Sequence, residues 1–287
     1  MLSLLDNWDH DRPLIEELAE ALTHSRTPEL DACAMSVEAL SVRPPVPAPR
    51  QIYCAEANCG ARVAPAGTSI RQAGCAEHSG PGSPAMAGRA RQGTPYFCLK
   101  AGSSVSGPYD PILLPADATE PDWELELAVV VGRTARHVSR EQALEHVAGY
   151  TIANDITRRE LLGRRVNDGQ EMGLNWVLAK SSPTFLPLGP YLVPAACIGD
   201  PGNLRSRVTL NGEVVQEGST SGMLFGVARL IEHLSTVVPL QPGDLILTGS
   251  PAGAGARPDR CLRPGDVLEG TIFGLGTQRN RCVEQRR

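Results

Sequence analysis

Residues 121–132, PDWELELAVVVG, put two carboxylates into what otherwise reads as a buried β-strand. Successive side chains of a strand point to opposite faces, so Trp123, Leu125 and Leu127 share one face. Glu124 and Glu126 share the other, which continues into Ala128 and Val130. Two like charges at i and i+2 repel, and removal from water makes each more costly. A chain with this pattern has to neutralise them. The means are a metal ion, cations from elsewhere in the chain, or bulk water on an exposed face.

A third acid sharpens the choice. Asp155 lies in AGYTIANDITRRE, at the end of a largely apolar strand in which Tyr150, Ile152 and Asn154 alternate with Thr151, Ala153 and Asp155. Three carboxylates on neighbouring buried strands would make a hard, all-oxygen site suited to Mg²⁺, Mn²⁺ or Ca²⁺. Two glutamates on a wet sheet face and a turn aspartate are the alternative.

At 287 residues the chain can form one large domain, or one domain with an appended segment, around a sizeable core. Its 27 basic and 32 acidic residues give a formal charge of -5 with no long run of either sign, which argues against nucleic acid as the main partner. The opening MLSLLDNWDHDRP acquires acids too early for a secretory signal, and no apolar run approaches membrane-spanning length. Eight scattered cysteines without a CxxC pair fit a reduced, cytoplasmic protein with free thiols. Gly 29 and Pro 24 against 4% aromatics imply many turns, hence a β-rich fold of short strands.

Along the chain, residues 13–24 carry a helical pattern with Pro13 at a favourable start position. The Pro-rich connector SVRPPVPAPR closes a small N-terminal segment, 1–50, ahead of a catalytic domain over 51–287. QIYCAEANC reads as a short buried strand. Residues 60–93 show no sustained period and read as a long loop, a candidate lid. Beyond it come a strand at TPYFCLK and a helix at SREQALEHV with Ser139 as N-cap. A hairpin at RVTLNGEVVQ, turning at Asn211-Gly212, and a helix over GMLFGVARLIEHLS follow. The end holds two similar turn–strand units, LQPGDLILTGSPAG and LRPGDVLEGTIFGLG.

From about residue 50 to 277 the chain resembles the fumarylacetoacetate hydrolase family. The likeness is carried, in order, by GTPYFCLK, DWELELAVVVG, AGYTIANDITRRE, AKSSPTFLPLGP, LNGEVVQEGSTSGM, LQPGDLILTGSPAGAG and LRPGDVLEGTIFGLG. It implies an α+β, β-rich fold with a mixed β-roll or sandwich core, paired as a homodimer. It also implies a divalent cation, foremost Mg²⁺ with Mn²⁺ or Ca²⁺ as alternatives, held by Glu124, Glu126 and Asp155. Substrates of such proteins are small anionic 2-oxo or 1,3-dicarbonyl acids, whose enolate the metal stabilises during C–C hydrolysis, decarboxylation or enol–keto isomerisation. Lys180 matches the lysine that supports this charge, and Arg159 the substrate-binding arginine. Thr248 and Gly249 match a turn offering a hydroxyl and a backbone N–H to a substrate carboxylate. Lys100 is a further candidate.

The pattern breaks in one segment. Hydrolytic members resemble GxNYxxHxxE, a His–Glu dyad that activates water, whereas this chain reads AEANCGARVAP. Asn58 aligns, but Cys59 replaces the aromatic, Arg62 stands at the histidine position and Pro65 at the glutamate position. Arginine stays protonated near pH 7 and cannot be the general base. Leu162 likewise stands where related hydrolases have glutamine. His78, next to Glu77 in the loop, is a candidate relocated acid/base, with an exposed loop histidine as the alternative. Arg62 would then contact an anionic substrate. The expectation is a metal-dependent C–C bond hydrolase or lyase; the alternatives are isomerase or other enolate chemistry without activated water, and a non-catalytic ligand-binding member.

Overall fold

The computed structural model describes residues 1–24, 27–33, 35–36, 39–59, 93–165, 171–251 and 260–286. Arg62, His78 and the expected loop, save Gly93, lie outside the described residues. In chain order, the strands of the two larger sheets are β1 (Ile52–Glu56), β2 (Tyr96–Leu99), β3 (Ile112–Leu114), β4 (Leu125–Val131), β5 (Val147–Asn154), β6 (Val193–Pro194), β7 (Arg205–Leu210), β8 (Glu213–Ser219), β9 (Leu245–Leu247), β10 (Val267–Ile272) and β11 (Gly276–Glu284). The first sheet runs β6-β5-β4-β9-β1-β2 and is antiparallel except at β9–β1. The second runs β8-β7-β10-β11-β3 and is antiparallel except at β11–β3. Both sheets are mixed, and the fold is α+β and β-rich.

Every residue of β4 is buried, as a strand covered on both faces must be. Its two faces enter different cores, following the alternation read from the sequence. Leu125, Leu127, Val129 and Val131 pack with Val208, Leu268 and Ile272 of the second sheet. The same core takes Val227, Leu230, Ile231 and Leu234, the i, i+3, i+4, i+7 stripe of the helix Val227–Val237. Ala128 and Val130 face the other way, toward Ile52, Leu245, Leu247, Leu5 and Trp8.

Leu5 and Trp8 belong to the N-terminal helices Leu2–Asp6 and Trp8–His24. Pro13 does not start its helix but sits inside it, because the buried Trp8 anchors the first turn earlier and the helix forgoes one internal hydrogen bond at the proline. Arg50 donates to both oxygens of Asp6, at 2.7 and 2.8 Å, fixing the helices to the chain entering β1. Trp8→Ala is therefore expected to lower stability by about 3 kcal/mol or more, as read by urea denaturation. An unchanged midpoint would show that the helices rest loosely on the sheet.

Two local expectations divide. The hairpin forms as read, with Asn211 and Gly212 at φ 54° and 84°. The helix expected from Ser139 is only a 3-10 turn over Ala143–His146, where Ala143 alone is buried, so there is no apolar stripe to dock a longer helix. Among the described residues, no helix is long and apolar enough to cross a membrane.

Candidate active site

The register of β4 and β5 builds the acidic cluster. Leu125 lies opposite Asn154 and Glu126 opposite Ala153. The pairing extends one step further: the Asp155 N–H donates to the Glu124 carbonyl at 2.8 Å. Opposed residues of an antiparallel pair share a face, and Glu124 shares its face with Glu126. Sheet geometry thus drives three acids together, and each offers an oxygen within 4.8 Å of the others. This face otherwise packs apolar residues, so the acids stand where the apolar lining stops.

Cations converge on them from three directions. Lys180 ends the short helix Trp176–Lys180, which Asn175 caps by accepting from the Leu178 N–H. Its side chain has no exposed surface, and Nζ donates to Glu124 Oε2 at 2.6 Å, Asp155 Oδ2 at 2.7 Å and Thr157 Oγ1 at 3.0 Å. Lys100, one residue past β2 and equally buried, donates to Asp155 Oδ1 at 2.6 Å. Arg159 grips Glu124 Oε1 and, through Nε at 3.0 Å, Asp122 Oδ2. Glu126 lacks a cation of its own and accepts the Gly249 N–H at 2.6 Å.

Electrostatics separate the acids. Burial pushes Glu124 up, but Arg159 and Lys180 outweigh it and bring the carboxyl down to about 2. For Glu126, burial followed by the charges of Asp155 and Glu124 drives the carboxyl well above its ordinary range. Burial also opposes the charge on Lys180, yet Asp155, Glu124 and Glu56 overcome it and hold the ammonium protonated. Burial raises Asp122 despite the adjacent Arg159.

This donor set fits a divalent cation. It is made entirely of carboxylate oxygens, the hard ligands that Mg²⁺, Mn²⁺ and Ca²⁺ take, and Glu126 is a buried acid held by one backbone N–H. Counting Glu56 and Asp122, five carboxyl groups gather about Lys100, Lys180 and Arg159, and a bound divalent ion would favour the ionised form of those that burial raises.

Thr248 and Gly249 reach the same place by a turn following β9. The Thr248 hydroxyl, expected to face a substrate, instead donates to the Leu127 carbonyl at 3.0 Å. Gly249 has φ +90°, and a Cβ there would stand 3.0 Å from both the Ala55 carbonyl oxygen and Asn58 Cβ. Asn58 secures the turn, donating to the Thr248 carbonyl at 2.8 Å and to the Phe225 carbonyl at 2.9 Å. Gly249→Ala is expected to lower stability by about 1–3 kcal/mol through backbone strain, with weaker Mn²⁺ binding as the N–H leaves Glu126. Calorimetry and thermal melting check both.

Two further members of the site, Asp122 and Glu56, have no role in the sequence reading. Asp122 anchors Arg159. Glu56, at the end of β1, accepts from Cys98 Sγ at 3.1 Å and lies 3.6 Å from Lys180 Nζ. Asp122 falls within the acidic strand motif, whereas Glu56 stands alone in its strand, with no second acid to mark it.

Comparison with known proteins matches these features to one family. The model for the fumarylacetoacetate (FAA) hydrolase C-terminal region matches residues 51–283. The 2,4-didehydro-3-deoxy-L-rhamnonate hydrolase of Sphingomonas sp. (strain SKA58) is 42% identical over 195 residues, covering 67% of this chain and 66% of that protein. A mitochondrial oxaloacetate tautomerase of Homo sapiens, FAHD2B, is 42% identical over 191 residues, 66% of this chain and 59% of that protein. The chain thus spans less than two thirds of either relative's length. Among solved structures, maleylpyruvate hydrolase from Sphingobium sp. SYK-6, in complex with manganese (II) ion and pyruvate, is 28% identical with a TM-score of 0.71, covering 100% of this chain and 86% of that one. A 5-carboxymethyl-2-hydroxymuconate delta-isomerase from Mycobacterium smegmatis is 32% identical with a TM-score of 0.68, covering 88% of this chain and 86% of that one. Matched in sequence over 51–283 and in fold across both sheets, the chain belongs to the fumarylacetoacetate hydrolase family.

Proposed function

We propose that this protein is a divalent-metal-dependent enzyme that acts on a small 2-oxo or 1,3-dicarbonyl acid through its enolate. The observation that carries this reading is the convergence of Glu124, Glu126 and Asp155 within 4.8 Å, with two buried ammonium groups and a guanidinium against them. Glu124, Glu126 and Asp155 are the residues to hold the ion, Mg²⁺ foremost. When bound, such an ion supplies Lewis-acid stabilisation of negative charge growing on a keto oxygen. Lys180 keeps a fixed positive charge beside that oxygen in a water-poor setting, where it acts strongly. Arg159, 18% exposed at its side chain, presents its guanidinium to an incoming carboxylate.

Within this chemistry, enol–keto isomerisation demands least of the residues described, and the tautomerase at 42% identity agrees with it. C–C bond hydrolysis or decarboxylation is the second reading, favoured by the rhamnonate hydrolase at the same identity. Oxaloacetate and acylpyruvates, with and without Mg²⁺ or Mn²⁺, separate the two. Metal-dependent loss of enol absorbance without cleavage products identifies an isomerase, and loss with pyruvate release identifies a hydrolase or lyase. No metal-dependent change with any 2-oxo acid would sink the proposal. The working unit in this reading is a homodimer, and light scattering that gives only monomer at micromolar concentration would count against that.

A further inference from the structure

We propose that Glu56 is the acid/base residue of this site, the side chain that moves a proton to and from the carbon next to the substrate's keto group. The inference rests on the enolate reading above and adds the group that does the proton transfer.

The other charged groups of the site are committed. Lys180 donates to three oxygens and is held protonated, and Lys100 is tied to Asp155 and to the Ile156 carbonyl. Arg159 cannot release its proton and holds Asp122, while Glu124, Glu126 and Asp155 form the candidate cation cage. Glu56 differs in each respect. Its side chain is 15% exposed, whereas Lys100, Lys180 and Asp155 have no exposed side-chain surface. Among the described residues, only the weak thiol donor Cys98 hydrogen-bonds it, through Oε1, while Oε2 accepts nothing. Lys180 Nζ, 3.6 Å away, is the same ammonium that touches Glu124 and Asp155, which puts Glu56 one group from the candidate ligands.

Among the described residues, the titratable and charged groups that act on Glu56 are Cys98 on β2, Lys180 on its helix, Glu124 and Glu126 at the start of β4, and Asp155 just past β5. Burial, the largest influence, outweighs the opposing Lys180, and with the two nearby acids it lifts the carboxyl to about 6. A carboxyl so placed exchanges protons near neutral pH, as an acid/base residue must. In the forward step the carbon's C–H bond breaks, an O–H bond forms on Glu56, and the electron pair moves into the enolate. The reverse step returns the proton to carbon and restores the keto form.

The test uses the full chain loaded with Mn²⁺, with pyruvate in D₂O as the probe. Wild-type protein is expected to exchange pyruvate methyl protons for deuterium, read by NMR, at a rate that rises with pH as Glu56 ionises. Glu56→Gln should slow exchange about 100-fold and flatten that pH limb, while Mn²⁺ and pyruvate affinities stay within about threefold. Glu56→Asp should restore part of the rate. Wild-type exchange left intact in Glu56→Gln, with the same pH profile, overturns the assignment alone. Parallel loss of Mn²⁺ affinity overturns it too, by making Glu56 part of the cation site. No exchange by wild-type protein overturns the assignment and the enolate reading together.

Discussion

Asp155→Ala is expected to abolish Mn²⁺ binding and to destabilise the fold by about 3–5 kcal/mol, the largest combined loss among single changes at the site. Both effects follow from one side chain serving two ends. Oδ1 accepts from Lys100 and Oδ2 from Lys180, and neither lysine side chain has any exposed surface. Removing the carboxylate strands two ammonium groups where water cannot reach them, while the cation loses one of three ligands. Asp155→Asn separates the terms, since it keeps a polar side chain of the same shape but removes the charge. It should lose Mn²⁺ binding at a smaller stability cost. Urea denaturation and calorimetry give the two readouts, and Asp155→Ala protein with wild-type Mn²⁺ affinity would end the metal assignment.

Lys180→Met is expected to move two properties in opposite directions. Without its ammonium, Glu124 and Asp155 lose their shared partner, and the protein in chelator should be less stable by about 3–5 kcal/mol. The same deletion removes a positive charge next to the cation site, so Mn²⁺ should bind more tightly and win back stability, about 2.7 kcal/mol at one hundred times its dissociation constant. Turnover should fall by about 100-fold or more, because the charge proposed to support the enolate is gone. Melting curves taken with chelator and with excess Mn²⁺ show the first effect, and assays on a substrate identified by the enol screen show the second. Mn²⁺ binding weaker than wild type would mean that Lys180 shapes the site rather than balancing its charge.

Much of this architecture is legible in the amino-acid sequence, and the physical reason differs case by case. The split faces of β4 are legible because strand alternation is strict, so Glu124 and Glu126 fall on one side with Ala128 and Val130. The hairpin is legible because Asn-Gly suits two successive residues at positive φ. Lys100 stands out little, since its importance arises from an approach to Asp155 across 55 positions of sequence, which no local pattern encodes. Glu56 leaves no trace for the same reason. The proline rule misplaces the start of the long N-terminal helix because it is local, whereas Trp8 fixes the first turn by burial against a distant sheet.

The pairing of the acids with Lys100, Lys180 and Arg159 also sets an order of events. A newly made chain already carries ammonium and guanidinium groups of its own against these acids, before any ion arrives. Small zinc modules behave in the opposite way, remaining unfolded until the metal arrives. On the metal reading, loading would follow folding, and the ion could leave and return while the chain stays folded. Occupancy would then be governed by the supply of competing hard ions around the finished protein, and a change in that supply would change the state of the site without any new chain being made.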